Sequence, residues 1–206
     1  MVLLLAISIV TFIAVKLLTS IKTSTCTACI TNTSDANNSP CPCNLPLGDK
    51  MHDLLPDIRE LYWVADAMVV MLLLFFCVAF TLFNYTNTSW YSIAASVLIL
   101  LSLKTITSHV TCLPDSSQIC STKRFKYVFG QCNDLMFSVH SSIVFLIVFI
   151  LNDATHLFKS VIGKLAIGTY VGTTLLIILA TRNHYTIDVI MAFFVTYFVY
   201  KVIISK

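Results

Sequence analysis

The chain has 206 residues, 57% hydrophobic and 11% charged, with a mean hydropathy of +0.86 and a formal net charge of +3. That balance excludes an ordinary soluble globular domain. No cluster of Lys and Arg is interleaved with aromatics in a polar segment, which excludes nucleic acid as a partner.

Apolar residues fall in six blocks, at 2–18, 61–83, 90–106, 137–151, 161–180 and 187–204. A helix of about 20 residues crosses a hydrocarbon core of roughly 30 Å, and only helices or closed barrels satisfy their backbone there. The expected fold is therefore an all-α membrane protein, a six-transmembrane-helix bundle. It divides into a first transmembrane helix at 1–18, a Cys-rich exoplasmic loop at 19–60 and a five-helix catalytic membrane core at 61–206. The first block lacks the basic start and small-residue cleavage pattern of a signal peptide and reads as an uncleaved anchor. The fourth block is the shortest, and its length suits a buried helix as well as a spanning one.

Two polar stretches, 19–60 and 107–136, separate blocks one from two and three from four, and six crossings put both on one face. Cys26, Cys29, Cys41, Cys43, Cys112, Cys120 and Cys132 all fall on that face, with Cys77 inside a span. Such asymmetry points to an oxidising compartment and to disulfides, with zinc ligation as the alternative for the close Cys pairs. Sequons beginning at Asn32 and Asn37 agree with a lumenal or extracellular setting. The positive-inside rule points the other way. Lys22, Lys50, Arg59, Lys104, Lys123, Arg124, Lys126 and Arg182 lie on or near the elaborate face, against Lys159, Lys164, Lys201 and Lys206 on the bare one.

Ionisable groups at span ends are costly to desolvate, so a set of them at one depth is a functional hypothesis. Asp66 lies early in block two, Lys104 late in block three, Asp134 and His140 around the start of block four, and Arg182, His184 and Asp188 around the start of block six. With alternating helix directions, all map to the elaborate face. His184 and Asp188 are four residues apart, on one helix face, where a carboxylate can fix an imidazole tautomer. For an isolated pair, a structural hydrogen bond is the plainer reading; His140 changes the balance. Two imidazoles at one depth allow one to attack phosphorus while the other protonates the leaving oxygen. Arg182 and Lys104 would hold phosphate oxygens. No clustered Asp-rich motif for Mg²⁺ is evident, so phosphoryl chemistry without a metal or other cofactor is expected, through a phosphohistidine.

At these residues the chain resembles the sphingomyelin synthase and inositol phosphorylceramide synthase family, a branch of the type 2 phosphatidic acid phosphatase superfamily. Cys132-Asn133-Asp134, followed by Phe137-Ser138-Val139-His140, is similar to that family's Cys-Gly-Asp and Phe-Ser-Gly/Ser-His. His184-Tyr185-Thr186-Ile187-Asp188-Val189 resembles its His-Tyr-Thr/Ser-Val-Asp-Val. Lys104 to Thr107, continuing through Leu113-Pro114 to Cys120, is similar to a third segment, and Pro46-Leu47-Gly48-Asp49 to a fourth. Three positions depart from the pattern: Asn133 replaces Gly, Val139 replaces a small residue, and Lys104 stands where an Arg is usual.

The resemblance implies six spans, an exoplasmic active site in a membrane of the secretory pathway, and head-group transfer from a glycerophospholipid to ceramide. It makes His184 the nucleophile, Asp188 its orienter and His140 the acid and then the base. Asp66 falls where the family usually places a Glu, to orient His140 or position a substrate hydroxyl. Substrate binding then rests with Asp66, Lys104, Asp134 and Arg182, and the arrangement allows a homo-oligomer. Two alternatives stay open: a lipid phosphate phosphatase with water as the acceptor, and an inactive lipid-binding membrane protein.

Overall fold

A computed structural model describes residues 48–82, 89–110, 137–154 and 160–205. The expected first span, the seven cysteines of the polar stretches, the sequons beginning at Asn32 and Asn37, and Asp134 lie outside these residues. In chain order the elements are α1 (Lys50–Leu54), a 3-10 turn (Arg59–Leu61), α2 (Tyr62–Leu82), α3 (Trp90–Val110), α4 (Val139–Ala154), α5 (Val161–Ala180) and α6 (Thr186–Ile203). Among the described residues, every regular element is helical.

Short polar side chains start α1, α4 and α5, where the first backbone N–H groups have no partner within the helix. Asp49 Oδ1 accepts from Met51 N at 2.9 Å at the start of α1. Ser138 Oγ accepts from Ser141 N at 3.2 Å at the start of α4. At α5, Ser160 Oγ accepts from Gly163 N at 3.0 Å.

Four helical stretches, Arg59–Leu82, Trp90–Thr107, Val161–Ala180 and Thr186–Ile203, are long and apolar enough to cross a bilayer. Helix α4, with 16 residues, extends only about 24 Å. It packs on α2, α3, α5 and α6, most extensively on α6. A helix enclosed by its neighbours has its ends satisfied by protein, so it need not match the bilayer thickness alone.

Leu74, Phe75, Phe194 and Phe198 are exposed, whereas Lys104, His140, His184 and Asp188 are buried. Water would favour the reverse arrangement. A hydrocarbon solvent favours this one, because lipid accepts the apolar rings and the ionisable groups turn to the bundle interior. The chain is thus a multi-pass membrane protein. Its core is formed by Val69 and Phe76 of α2, Ile93 and Leu100 of α3, Val144 and Ile150 of α4, and Tyr200 of α6.

The bundle has two chemically distinct ends. At one, Ser138 N donates to Asp188 O at 3.3 Å and Ile58 N to Ala180 O at 3.1 Å. These bonds gather the starts of α2, α4 and α6 with the finish of α5. At the other end Tyr200 Oη donates to Asp153 Oδ2, tying the last turns of α4 and α6, and Trp90 meets Phe80 edge to face at 4.4 Å. The end of the 19–60 stretch is not a plain connection. Met51 and Leu55 pack on a second apolar cluster of Ala65, Ile178, Leu179 and Val189, which docks α1 against the first of these two ends.

Candidate functional site

The site is built at the end where α4 and α6 begin. Their backbone contact, Ser138 N to Asp188 O, sets the two starts side by side. His140, the second residue of α4, and His184, two residues before α6, consequently face each other with ring centroids 6.3 Å apart and planes inclined by 56°. Both are buried.

Each imidazole has a carboxylate. His140 Nε2 lies 2.7 Å from Asp66 Oδ1 of α2. A carboxylate only accepts, so Nε2 carries the hydrogen of that bond and Nδ1 is the nitrogen left for proton traffic. His184 Nδ1 lies 3.6 Å from Asp188 Oδ2. That separation is too long for a formed hydrogen bond. The same oxygen instead accepts from Tyr185 N at 2.9 Å, capping α6. Asp188 therefore supplies charge beside His184 while its hydrogen bond fixes the backbone.

Lys104 enters the site from α3. Its Nζ donates to Phe137 O at 2.8 Å and lies 5.8 Å from the Phe137 ring centroid, so the ammonium is held at the start of α4. Burial lowers the proton affinity of His184, and the Lys104 and His140 charges act in the same direction against Asp188. The ring is accordingly biased to the neutral, nucleophilic form.

Arg182 lies in the tight turn between α5 and α6, with φ of 59°, in the left-handed region. For a non-glycine residue that conformation costs on the order of 1 kcal/mol. It is held by a bond from its own N to Leu179 O at 3.0 Å and by Nη2 donating to His52 O. The guanidinium thus reaches α1. Of the expected site residues, Asp66, Lys104, His140, His184 and Asp188 converge, Arg182 adjoins them through α1, and Asp134 lies outside the described residues.

Two further residues at this end were not singled out as site residues from sequence. Asp49 Oδ2 accepts from Thr186 N at 2.6 Å and its Oδ1 from Thr186 Oγ1 at 2.8 Å. The same carboxylate caps α1, so one side chain serves two helix starts. His52 Nε2 lies 3.0 Å from His184 O, and its ring stacks on Tyr185 at 5.5 Å. A sequence signal existed for Asp49, which closes the Pro46-Leu47-Gly48-Asp49 segment that carries part of the resemblance. None existed for His52, whose partners are 130 or more positions away in the chain.

Residues 131–205 match the family model described as PAP2 superfamily C-terminal. The matched stretch spans α4 to α6 and holds His140, His184 and Asp188. It supports the type 2 phosphatase superfamily, whose members are usually enzymes acting on phosphoesters, and it fits a lipid phosphatase or phosphotransferase. No curated protein matches the chain.

Proposed function

We propose that this protein is a lipid head-group phosphotransferase of the sphingolipid synthase kind. It moves a phosphocholine, phosphoethanolamine or phosphoinositol group from a glycerophospholipid to ceramide and releases diacylglycerol. The observation that carries this reading is the pair of buried imidazoles 6.3 Å apart, each beside its own carboxylate. Reacting atoms must approach to about 3–3.5 Å. One phosphoryl group between rings so spaced is within reach of both.

In the first step His184 Nε2 attacks phosphorus and an N–P bond forms. The P–O bond to diacylglycerol breaks, and His140 gives the departing oxygen its proton. In the second step the ceramide primary hydroxyl loses its proton to His140 and attacks phosphorus. The N–P bond then breaks and His184 is restored. Asp66 holds His140, Asp188 stabilises His184, and Lys104 offsets charge on the phosphoryl oxygens. Asp134 and Arg182 belong to the same proposal as substrate contacts. The cysteine-rich stretch supports a lumenal or exoplasmic site.

A second reading is hydrolysis, which the superfamily match favours equally: water replaces ceramide in the second step. Protein in liposomes with labelled ceramide and a panel of phospholipid donors separates the two. Transfer yields a labelled phosphosphingolipid and diacylglycerol in equal amounts. Diacylglycerol released at the same rate without ceramide, with the ceramide unconsumed, overturns transfer in favour of hydrolysis.

A further inference from the structure

The turn that carries His184 is held from outside the imidazole and carboxylate pairs. His52 Nε2 meets a carbonyl oxygen, His184 O, which can only accept, so His52 donates here through Nε2–H. Two residues further on, Asp49 takes both the N–H and the hydroxyl of Thr186. Two residues earlier, Arg182 donates to His52 O. Residues 182, 184 and 186 are thereby bonded to a five-residue helix or to the Asp49 that caps it, 130 to 137 positions away in the chain.

The catalytic partners alone do not fix the His184 ring. Its Nδ1 stands 3.6 Å from Asp188 Oδ2, an oxygen already engaged by Tyr185 N. The strained backbone at Arg182 would relax if its brace were removed. Ring placement then depends on where the backbone of 182–186 is held.

We propose that α1 is a positioning clamp for the nucleophile-bearing turn, with His52 and Asp49 as positioning residues that set the approach of His184 to phosphorus. The inference rests on His184 being the nucleophile. His52 orients it through the carbonyl bond and the Tyr185 stack, and Asp49 fixes the next residues through Thr186. Misplacement of a reacting group by about 1 Å can cost on the order of 100-fold in rate, so a partial loss of the clamp falls on kcat.

The test uses the full chain in liposomes, assayed for diacylglycerol release, with folded protein quantified for each variant. His52→Phe keeps a ring against Tyr185 and removes the donor; His52→Gln keeps a donor. The clamp predicts that His52→Phe lowers kcat about 10-fold or more with KM within about two-fold, and that His52→Gln recovers most of the loss. Asp49→Asn, which keeps one acceptor oxygen toward Thr186, gives a smaller fall in kcat, again with KM unchanged. An unchanged kcat per folded molecule in both His52→Phe and Asp49→Asn overturns the clamp. So does an equal loss in the two His52 variants. His184→Ala is run alongside. If it is inactive while His52→Phe is fully active, the clamp alone fails; if it is active, the nucleophile assignment fails and the clamp with it.

Discussion

His140 Nε2 and Asp66 Oδ1 stand 2.7 Å apart, joining residues 74 positions distant through the starts of α4 and α2. This bond engages Nε2 of His140 and leaves Nδ1 for proton transfer. Asp66→Asn keeps an acceptor oxygen and removes the carboxylate charge beside His140. Turnover should fall about 100-fold with little loss of folded protein, measured as kcat in liposomes beside circular dichroism. Wild-type turnover in the variant would remove Asp66 from the mechanism.

The pH profile should report the environment of His184. Burial pushes its imidazole below the ordinary range, with Lys104 aiding and Asp188 opposing. A depressed value means the neutral nucleophile persists into more acidic solution. The acid limb of kcat/KM should therefore have its midpoint below about 6.5. Lys104→Gln removes a charge that disfavours protonation and should move this limb to higher pH. A wild-type limb above the ordinary imidazole value would contradict the assignment.

Asp49 should matter to stability as well as to rate. Burial raises its carboxyl, but the bonds from Thr186 and Met51 outweigh that and hold it below the usual carboxylate range. Asp49→Ala removes a cap shared by α1 and α6 and should cost about 1–2 kcal/mol, read from denaturant unfolding in detergent. Because the folded-state value is depressed, the stabilisation is complete above about pH 3.9 and fades as the pH falls further. The gap between wild type and variant should narrow in that acidic range.

Tyr200→Phe serves as the contrasting case at the other end of the bundle. It deletes the hydroxyl that donates to Asp153. A loss of roughly 0.5–1.5 kcal/mol in stability is expected, with kcat unchanged in the transfer assay. A large fall in kcat would mean that the two ends are coupled.

Much of the bundle was legible because long apolar runs in lipid leave few alternatives. The block at 161–180 coincides with α5, and the block at 187–204 departs from α6 by one residue at each end. The polar set was legible for the same reason: buried ionisable groups stand out against an apolar background. His184 and Asp188 were paired from spacing alone, but spacing does not report how a side chain divides its hydrogen bonds. The Asp188 oxygen facing His184 bonds to Tyr185 N, which only the fold reveals. Helix α1 was hidden because five residues carry no periodic signal, and its docking depends on Ala65, Ile178 and Val189 from distant helices. The left-handed turn was hidden too, since Arg182 stands where glycine would have announced it.

The central claim is that the head-group phosphate rides on His184. Rapid-quench mass spectrometry of the full chain, mixed with donor phospholipid and no acceptor, tests it directly. We predict a peptide carrying the head-group phosphate on His184, lost at once when ceramide is added and absent in His184→Ala. Full transfer activity in His184→Ala, or an adduct on another residue that turns over with ceramide, would contradict the account.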